Sequence, residues 1–310
     1  MTEIQFNPFL FYSGQLQQLL AKASKQNNPA LWLYENDART PLFMLEALTR
    51  LHNKTFNEKL FSKWNKRFKK LEDLFGEIDE YIVLEKELKL NKKVTKEVLK
   101  YFAVNSANYI TKCNQRLFEK DWLDTKLQSF DTKLNKYTVD YNEEYLNEIT
   151  YTINDEIDAI LSFCSKHNYE FTKLEEHIHE LRRKLRWLSI YAQALQGLIQ
   201  LKKTTQKPKT QINYFTKEIL NSRFNKLPSK PKNVAVIQFD NNSFFALSWL
   251  IKELGRLKDI GLKVEQLSHA IYITEELTEV GAEVKAISVL GHKKTIQQDI
   301  LNEASGILKT

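Results

Sequence analysis

Apolar residues recur at helical spacing along nearly the whole chain, and this periodicity constrains the fold more than any other feature. Intervals of three and four residues separate the members of one such series, Phe61, Trp64, Phe68, Leu71 and Phe75. Side chains at this spacing share the helix face that packs against a core. Only eight glycines and six prolines interrupt the 310 residues, too few for the turns of a β-sandwich or barrel. The sequence therefore predicts an all-α fold.

The periodic segments predict about twelve helices. Their ranges are 14–26, 39–53, 57–75, 77–90, 94–118, 120–137, 141–166, 170–203, 213–224, 243–259, 261–278 and 293–308. Two stretches rich in β-branched residues, 234–237 and 284–289, favour strands. They predict at most a minor β-hairpin, and extended connectors are the alternative.

The cysteines and the distribution of apolar residues bear on the cellular compartment. Cys113 and Cys164 stand too far apart to form a metal motif or a disulfide framework. No stretch approaches the roughly 18 consecutive apolar residues that cross a membrane. The first residues also lack the basic and apolar regions of a secretory leader. These features predict a cytoplasmic protein without membrane association.

A faint internal repeat relates the two halves of the chain. Alignment of Gly76 with Gly255 keeps the apolar positions on both sides of each glycine in register. A glycine inside a helical segment costs helix propensity, so its repetition indicates a close approach between backbones. The repeat predicts two pseudo-symmetric helical bundles, an N-terminal one over residues 1–138 and a C-terminal one over residues 139–310.

The net charge of +7 is concentrated in one segment. Residues 201–232 contain nine lysines and arginines and a single acidic residue, Glu218. Composition favours a solvated basic connector here, and a flap that attracts anions is the alternative. The pI of about 9.0 therefore describes this segment, and it does not imply nucleic-acid binding by the whole surface.

The segment between residues 177 and 188 is the most informative for function. One helix face, an arc of about 100°, would contain His179, Arg182, Arg183 and Arg186. Like charges one helical turn apart repel, and a helix that accepts this repulsion often has an anion to offset it. A planar guanidinium suits phosphate because it donates two parallel hydrogen bonds. We therefore predict that these four residues bind an anion.

Two further basic groups extend this prediction. A lysine strip on the helix predicted over residues 57–75 consists of Lys59, Lys63, Lys66 and Lys70. A shorter pair, Lys252 and Arg256, flanks the second glycine of the repeat. We predict that all six residues widen the positive field of the anion site. Basic helix faces are also typical of solvated surface, which is the alternative for each group.

These motifs resemble those of a known family. The series His179, Arg182, Arg183 and Arg186, followed by Leu188, is similar to the signature helix of CHAD domains, the conserved-histidine α-helical domains. Segments 74–80 and 254–259 look like that family's leucine–glycine–basic–aspartate element, once in each half. The stretch of the first half that is comparable to the signature helix is 37–45, where Arg39 is the matching cation. The resemblance covers most of the chain.

The resemblance implies two pseudo-symmetric helical bundles with a basic groove between them. It also implies binding of inorganic polyphosphate, or of a similar phosphate-rich polyanion, without catalysis. We therefore expect no cofactor, and neither nucleic acid nor a membrane is an expected partner. The alternative is a CHAD-like scaffold that binds a protein partner and no anion.

Enzyme chemistry is not indicated by the remaining motifs. The eight glycines never cluster into a loop that could cradle a phosphate. His177 and His179 stand two residues apart, which splays them on a helix and differs from the spacing of a zinc helix. Cys164 could pair with His167, but no oxyanion hole is evident around them. We expect neither catalytic nor metal-binding residues.

Overall fold

Helices build almost the whole of the chain. The computed structural model describes residues 6–53, 56–136, 140–203, 215–293 and 295–309. These residues form twelve α-helices, one π-helical turn, one 3₁₀ turn and two short strands. The prediction of an all-α fold is thereby confirmed. Within the described ranges, no helix has both the length and the apolar character needed to cross a bilayer.

The elements follow one another in two series. The first series is α1 (Pro8–Ala23), α2 (Pro29–Glu35), α3 (Arg39–Asn53), α4 (Glu58–Leu88), α5 (Lys96–Glu119) and α6 (Lys126–Leu134). The second series is α7 (Glu143–Lys166), the π-helical turn (Leu174–His179), α8 (Glu180–Ala194), β1 (Ile199–Lys202), α9 (Lys217–Asn221), the 3₁₀ turn (Arg223–Asn225), β2 (Ile237–Asp240), α10 (Asn241–Thr274), α11 (Glu279–Val289) and α12 (Ile296–Lys309).

Asparagine and proline begin several of these helices. The side chains of Asn7, Asn28 and Asn57 accept hydrogen bonds from backbone N–H groups in the first turns of α1, α2 and α4. Pro8 and Pro29 each follow such a cap, at a position where a missing N–H group costs nothing. The cap and the proline explain α2, which is only seven residues long and was not predicted from apolar periodicity.

Two helices are longer than predicted. Apolar periodicity predicts breaks at residues 76 and 260, but α4 and α10 continue through both positions. The expected break in α4 was wrong because Phe75 and Ile78, on either side of Gly76, are buried in the core. Their burial stabilises the helix by more than the roughly 1 kcal/mol that an interior glycine costs.

The β-structure is smaller than the sequence suggested, and it is arranged differently. A minor β-element is present, but β1 and β2 pair in parallel and do not form a hairpin. The strand predicted at 284–289 is wrong, because Ala282 and Ala286 recur at helical spacing and are buried on one face of α11. The long helix predicted over 170–203 ends with α8, after which the chain enters β1.

Two buried clusters hold the helices together. The larger cluster contains side chains from both sides of the predicted boundary at residues 138 and 139, and α3 packs against α8 across it. The smaller cluster joins the ends of α4 and α5 to α10 and α11, through residues that include Leu84, Phe102, Leu267 and Ala286. Each half therefore contributes two helices to the smaller cluster, α4 and α5 or α10 and α11, and one helix, α3 or α8, to the junction between the halves.

Candidate anion-binding site

The candidate site lies where α8 packs against α3 and α10. Leu181, Leu185 and Leu188 are buried on one side of α8. Arg182 and Arg186, one helical turn apart, extend from α8 toward α10 and α3 respectively. Both guanidinium groups are largely withdrawn from water, which distinguishes them from ordinary surface arginines.

Arg182 lies across the repeat glycine of α10. A Cβ atom at Gly255 would lie 2.8 Å from Arg182 Nε, so any side chain at this position would displace the guanidinium. The Nε atom is buried, and no group of the described chain accepts a hydrogen bond from it. Burial lowers the pKa of Arg182, whereas the charge of Asp259 acts in the opposite direction. The close approach indicated by the repeat is thus an approach of a cation to a helix backbone.

Arg186 is the second withdrawn cation. Its Cζ atom lies 5.2 Å from the centre of the Phe43 ring on α3, which is a cation–π contact. Burial, followed by the charges of Arg182 and Arg39, lowers the pKa of Arg186 to about 10. An arginine ordinarily has a pKa above 12. Among the residues that the structure describes, no carboxylate forms an ion pair with Arg182 or Arg186.

Arg39 occupies the equivalent position in the N-terminal half. It lies across the first repeat glycine, where a Cβ atom at Gly76 would be 2.9 Å from Arg39 Nη2. Its Cζ atom lies 5.2 Å from the centre of the Phe43 ring, which therefore contacts arginines from both halves. Unlike the two arginines of α8, Arg39 donates hydrogen bonds to Glu72 at 2.6 Å and to Asp79 at 3.4 Å.

Two buried carboxyl groups lie close to this cluster. The Glu72 side chain is 8% exposed, and its charge raises the pKa of Arg186. Glu46 is 4% exposed, and burial together with the charge of Glu72 raises its pKa to about 7. Glu46 therefore changes charge near neutral pH, whereas the arginines remain charged.

The other two predicted residues of α8 are paired with acids of their own segment. His179 ends the π-helical turn, and its Nδ1 atom lies 2.8 Å from Glu175 Oε2. Arg183 forms an ion pair with Glu180 at 2.6 Å, and its side chain is 57% exposed. The helix face predicted from the sequence thus divides into an inward pair, Arg182 with Arg186, and two residues already bound to carboxylates.

The predicted cations of α10 are also neutralised by acids. Lys252 Nζ lies 2.6 Å from Glu218 Oε2, and Arg256 Nε lies 3.1 Å from Glu253 Oε2. Arg256 pairs in addition with Glu303 of α12. These ion pairs leave Lys252 and Arg256 little free charge with which to attract an anion.

The lysine strip lies on α4, away from the arginines of α8. All four of its residues are exposed on α4. Lys59 and Lys63 lie about 20 to 25 Å along α4 from Gly76, the glycine that Arg39 covers. They line a cavity of about 370 Å³ together with Lys133 and Lys136, which the sequence analysis did not single out. Lys59 and Lys63 therefore belong to the junction of α4 with the end of α6, whereas Lys66 and Lys70 do not line this cavity.

Some residues of the site gave no usable signal in the sequence. Phe43 is indistinguishable from a core aromatic, because nothing in its spacing shows that two arginines cover it. Arg39 matched the family pattern, but its ion pairs with Glu72 and Asp79 join positions more than thirty residues away. Residues 204–214, most of the first half of the basic connector, lie outside the described residues.

Metal binding and thiol chemistry are the alternatives to an anion site. Within the described ranges, no group of three or more His, Cys, Asp or Glu side chains is placed to hold a metal ion. Burial raises the pKa of the thiols of Cys113 and Cys164, so both are held in the unreactive protonated form. Cys164 is therefore not an activated nucleophile.

Comparison with known proteins adds no assignment. No protein-family model, curated protein or solved structure matches this chain. The chemistry of the residues themselves, above all Arg182 and Arg186, is therefore what points to a function.

Proposed function

We propose that this protein is a non-catalytic binding protein for inorganic polyphosphate or a similar phosphate-rich polyanion, with a role in the cytoplasm. Arg182 and Arg186 hold the ligand at the junction of α8 with α3 and α10. One observation carries the proposal: the two guanidinium groups are adjacent, largely buried and free of carboxylate partners within the described chain.

Two adjacent, largely buried guanidinium groups lower the stability of the folded protein. A buried charge without a partner destabilises a folded protein by several kcal/mol, and two like charges one helical turn apart add to that cost. A bound anion offsets both terms, because it supplies the missing negative charge and accepts the unused hydrogen bonds. The pairing of Arg39 with Glu72 and Asp79 shows that the fold can neutralise an equivalent arginine.

Phosphate suits the site better than a single carboxylate. Side chains at positions i and i+4 lie about 6 Å apart on a helix, which a phosphate group can bridge with separate oxygens. A guanidinium donates paired hydrogen bonds to such oxygens.

The test is a titration with long-chain inorganic polyphosphate at several salt concentrations. The wild-type protein is expected to bind with an affinity that falls as salt rises. Arg182→Gln combined with Arg186→Gln is expected to lower the affinity at least tenfold. The matched control, Arg183→Gln with Lys184→Gln, removes the same charge from the same helix and is expected to bind nearly as well as the wild type. Equal losses in both variants would reject the site.

A protein-interaction scaffold is the second candidate function, and exposed apolar side chains favour it. Val280 and Val284, one turn apart on α11, are 71% and 43% exposed, and Ile273 near the end of α10 is 56% exposed. Exposed apolar side chains are typical of partner surfaces when they are grouped. The scaffold function without anion binding predicts that the wild-type protein shows no salt-dependent binding of polyphosphate, so the same titration separates the two candidates.

A further inference from the structure

The junction of α4 with the end of α6 forms a separate basic cavity. Its volume is about 370 Å³, and it is lined by Asn57, Lys59, Leu60, Lys63, Lys133 and Lys136. The lining therefore contains four ammonium groups and no acid. Cavities of this size lie at the small end of the range for ligand sites.

The four lysines of the cavity have no acidic partner, unlike several other lysines of the described chain. Lys69 on the same helix pairs with Asp73 at 2.6 Å, and Lys263 pairs with Glu87 at 2.6 Å. In the part of the chain that the structure describes, no ion pair involves Lys59, Lys63, Lys133 or Lys136. Their charge is thus available to a ligand.

Neighbouring residues of α4, α5 and α6 add to the positive charge. Burial and the charge of Arg116 lower the pKa of Arg67, and burial followed by the charge of Arg67 lowers the pKa of Lys126. These cations are close enough to repel one another, so the basic character extends beyond the cavity.

The position of Lys59 also argues for a bound anion. Lys59 lies in the first turn of α4, where the helix dipole favours negative charge and disfavours a lysine. Lys133, by contrast, lies in the last turn of α6, where the dipole stabilises a cation. The helix dipole therefore explains Lys133 and leaves Lys59 without a structural reason.

We propose that Lys59, Lys63, Lys133 and Lys136 form a second anion site, which binds a compact ligand carrying several phosphate groups. Lysine acts as a point charge with a flexible stem, so the site selects clustered charge and not a particular ligand shape. The site shares no residue with α8, and it stands whether or not the arginine site binds polyphosphate.

The test is protection of lysines from acetylation by an N-hydroxysuccinimide ester, measured by mass spectrometry with and without inorganic tripolyphosphate. The four lysines are expected to react at least threefold more slowly when tripolyphosphate is present. Lys89, Lys92 and Lys93, exposed at the other end of α4, serve as the internal control and are expected to react at an unchanged rate. The same protection is expected in the Arg182→Gln, Arg186→Gln variant. Equal rates for the four lysines with and without tripolyphosphate would overturn the proposal.

A pair of charge-matched variants separates a site from a general basic field. Lys59→Gln, Lys63→Gln and Lys133→Gln together are expected to lower the affinity for tripolyphosphate at least tenfold at this site. The control with Lys89→Gln, Lys92→Gln and Lys93→Gln has the same net charge and is expected to retain the affinity. Equal losses in both triple variants, or stronger protection by a single-stranded oligonucleotide than by tripolyphosphate, would contradict a compact phosphate site.

Discussion

Arg186 is a cation that folding removes from water without giving it a carboxylate partner. Its guanidinium group lies over the Phe43 ring, and the charges of Arg182 and Arg39 act on it more strongly than those of Glu72 and Asp259. A residue of this kind lowers the stability of the free protein, and it is retained when it serves a ligand. Removal of Arg186 should therefore weaken ligand binding and raise the stability of the ligand-free protein.

Arg186→Met tests whether the buried charge destabilises the protein and serves ligand binding. Arg186→Met keeps most of the side-chain volume and removes the buried charge, so it is expected to raise the free energy of unfolding by about 1 kcal/mol or more in buffer without polyanions. The same variant is expected to bind polyphosphate more weakly than the wild type. Urea denaturation and a polyphosphate titration measure the two effects. A variant that is less stable in polyanion-free buffer would show that Arg186 has a structural role.

Glu46 provides a prediction about pH. Burial and the charge of Glu72 raise its pKa to about 7, above the value in the unfolded chain, so the folded protein binds the proton more tightly. The contribution of Glu46 to stability is therefore complete below about pH 4.5 and is lost as the pH rises through about 7. Glu46→Gln, a neutral isostere, is expected to be more stable than the wild type at pH 8, by at most about 3 kcal/mol.

Denaturation of both proteins at pH 4 and pH 8 checks this expectation. At pH 4 the wild-type carboxyl group is protonated, so the difference between Glu46→Gln and the wild type should nearly vanish. A difference of the same size at both pH values would mean that the substitution acts through packing and not through charge.

The arginines of α8 show which parts of the site can be predicted from the sequence and which cannot. Helical spacing places Arg182 and Arg186 one turn apart, and in the structure they extend from α8 toward α10 and α3. The same spacing could not show that Arg183 turns toward Glu180, because a step of one residue moves a side chain by about 100° out of the contact with α10. Which cations are withdrawn from water depends on the neighbouring helices, and a local pattern does not contain that information.

At the scale of elements, the glycines of α4 and α10 have a common role. Gly76 and Gly255 each lie inside a long helix, and each is covered by an arginine from a shorter helix. The sequence repeat predicted a close approach at both glycines, whereas the apolar periodicity suggested helix breaks at residues 76 and 260. The helices continue because buried neighbours stabilise them, a contribution that only the packed structure reveals.

Gly255→Ala tests the role of the glycine in α10. Alanine favours a helix by about 1 kcal/mol, but its Cβ atom would displace the flexible guanidinium of Arg182. We expect the free energy of unfolding to change by less than about 1 kcal/mol, because these effects oppose each other. Polyphosphate affinity should fall severalfold, since Arg182 moves.

Gly14→Ala is the matched control for this measurement. Gly14 lies inside α1, and no atom is within 4 Å of a Cβ built there. This variant should gain stability and bind polyphosphate as the wild type does. If Gly255→Ala also bound normally, the position of Arg182 would not matter for the ligand.

The β-element and α11 show where local propensity fails. The run of Val and Ile at 284–289 favoured a strand, yet burial of Ala282 and Ala286 on one face holds the segment in α11. Partner strands cannot be read from propensity, because β1 and β2 are separated by the connector and pair in parallel. The class of fold could therefore be predicted, whereas the identity of its minor elements required tertiary contacts.

At the scale of the whole molecule, the larger core crosses the boundary between the two predicted bundles. Side chains such as Leu45 on α3 and Leu185 on α8 belong to the same buried cluster. Tyr12 of α1 also donates a hydrogen bond to the backbone oxygen of Gln193 at 3.0 Å. The halves are thus joined by core packing and not by a small polar interface.

This shared core predicts that the protein unfolds as one unit. Circular dichroism and tryptophan fluorescence should report the same single transition in urea, because loss of α8 removes part of the core of α3. Separate transitions for the two signals would show that the bundles are independent domains, as a boundary near residue 138 on its own suggests.

The central claim is that an anion rests between Arg182 and Arg186, and a crystal structure with bound tungstate tests it most directly. Tungstate has the shape and charge of a phosphate-like oxyanion, and its heavy atom gives a strong anomalous signal. The account predicts an anomalous peak within hydrogen-bonding reach of both guanidinium groups, together with loss of that peak in the Arg182→Gln, Arg186→Gln variant. Occupied tungstate sites elsewhere, with none between these two arginines, would contradict it.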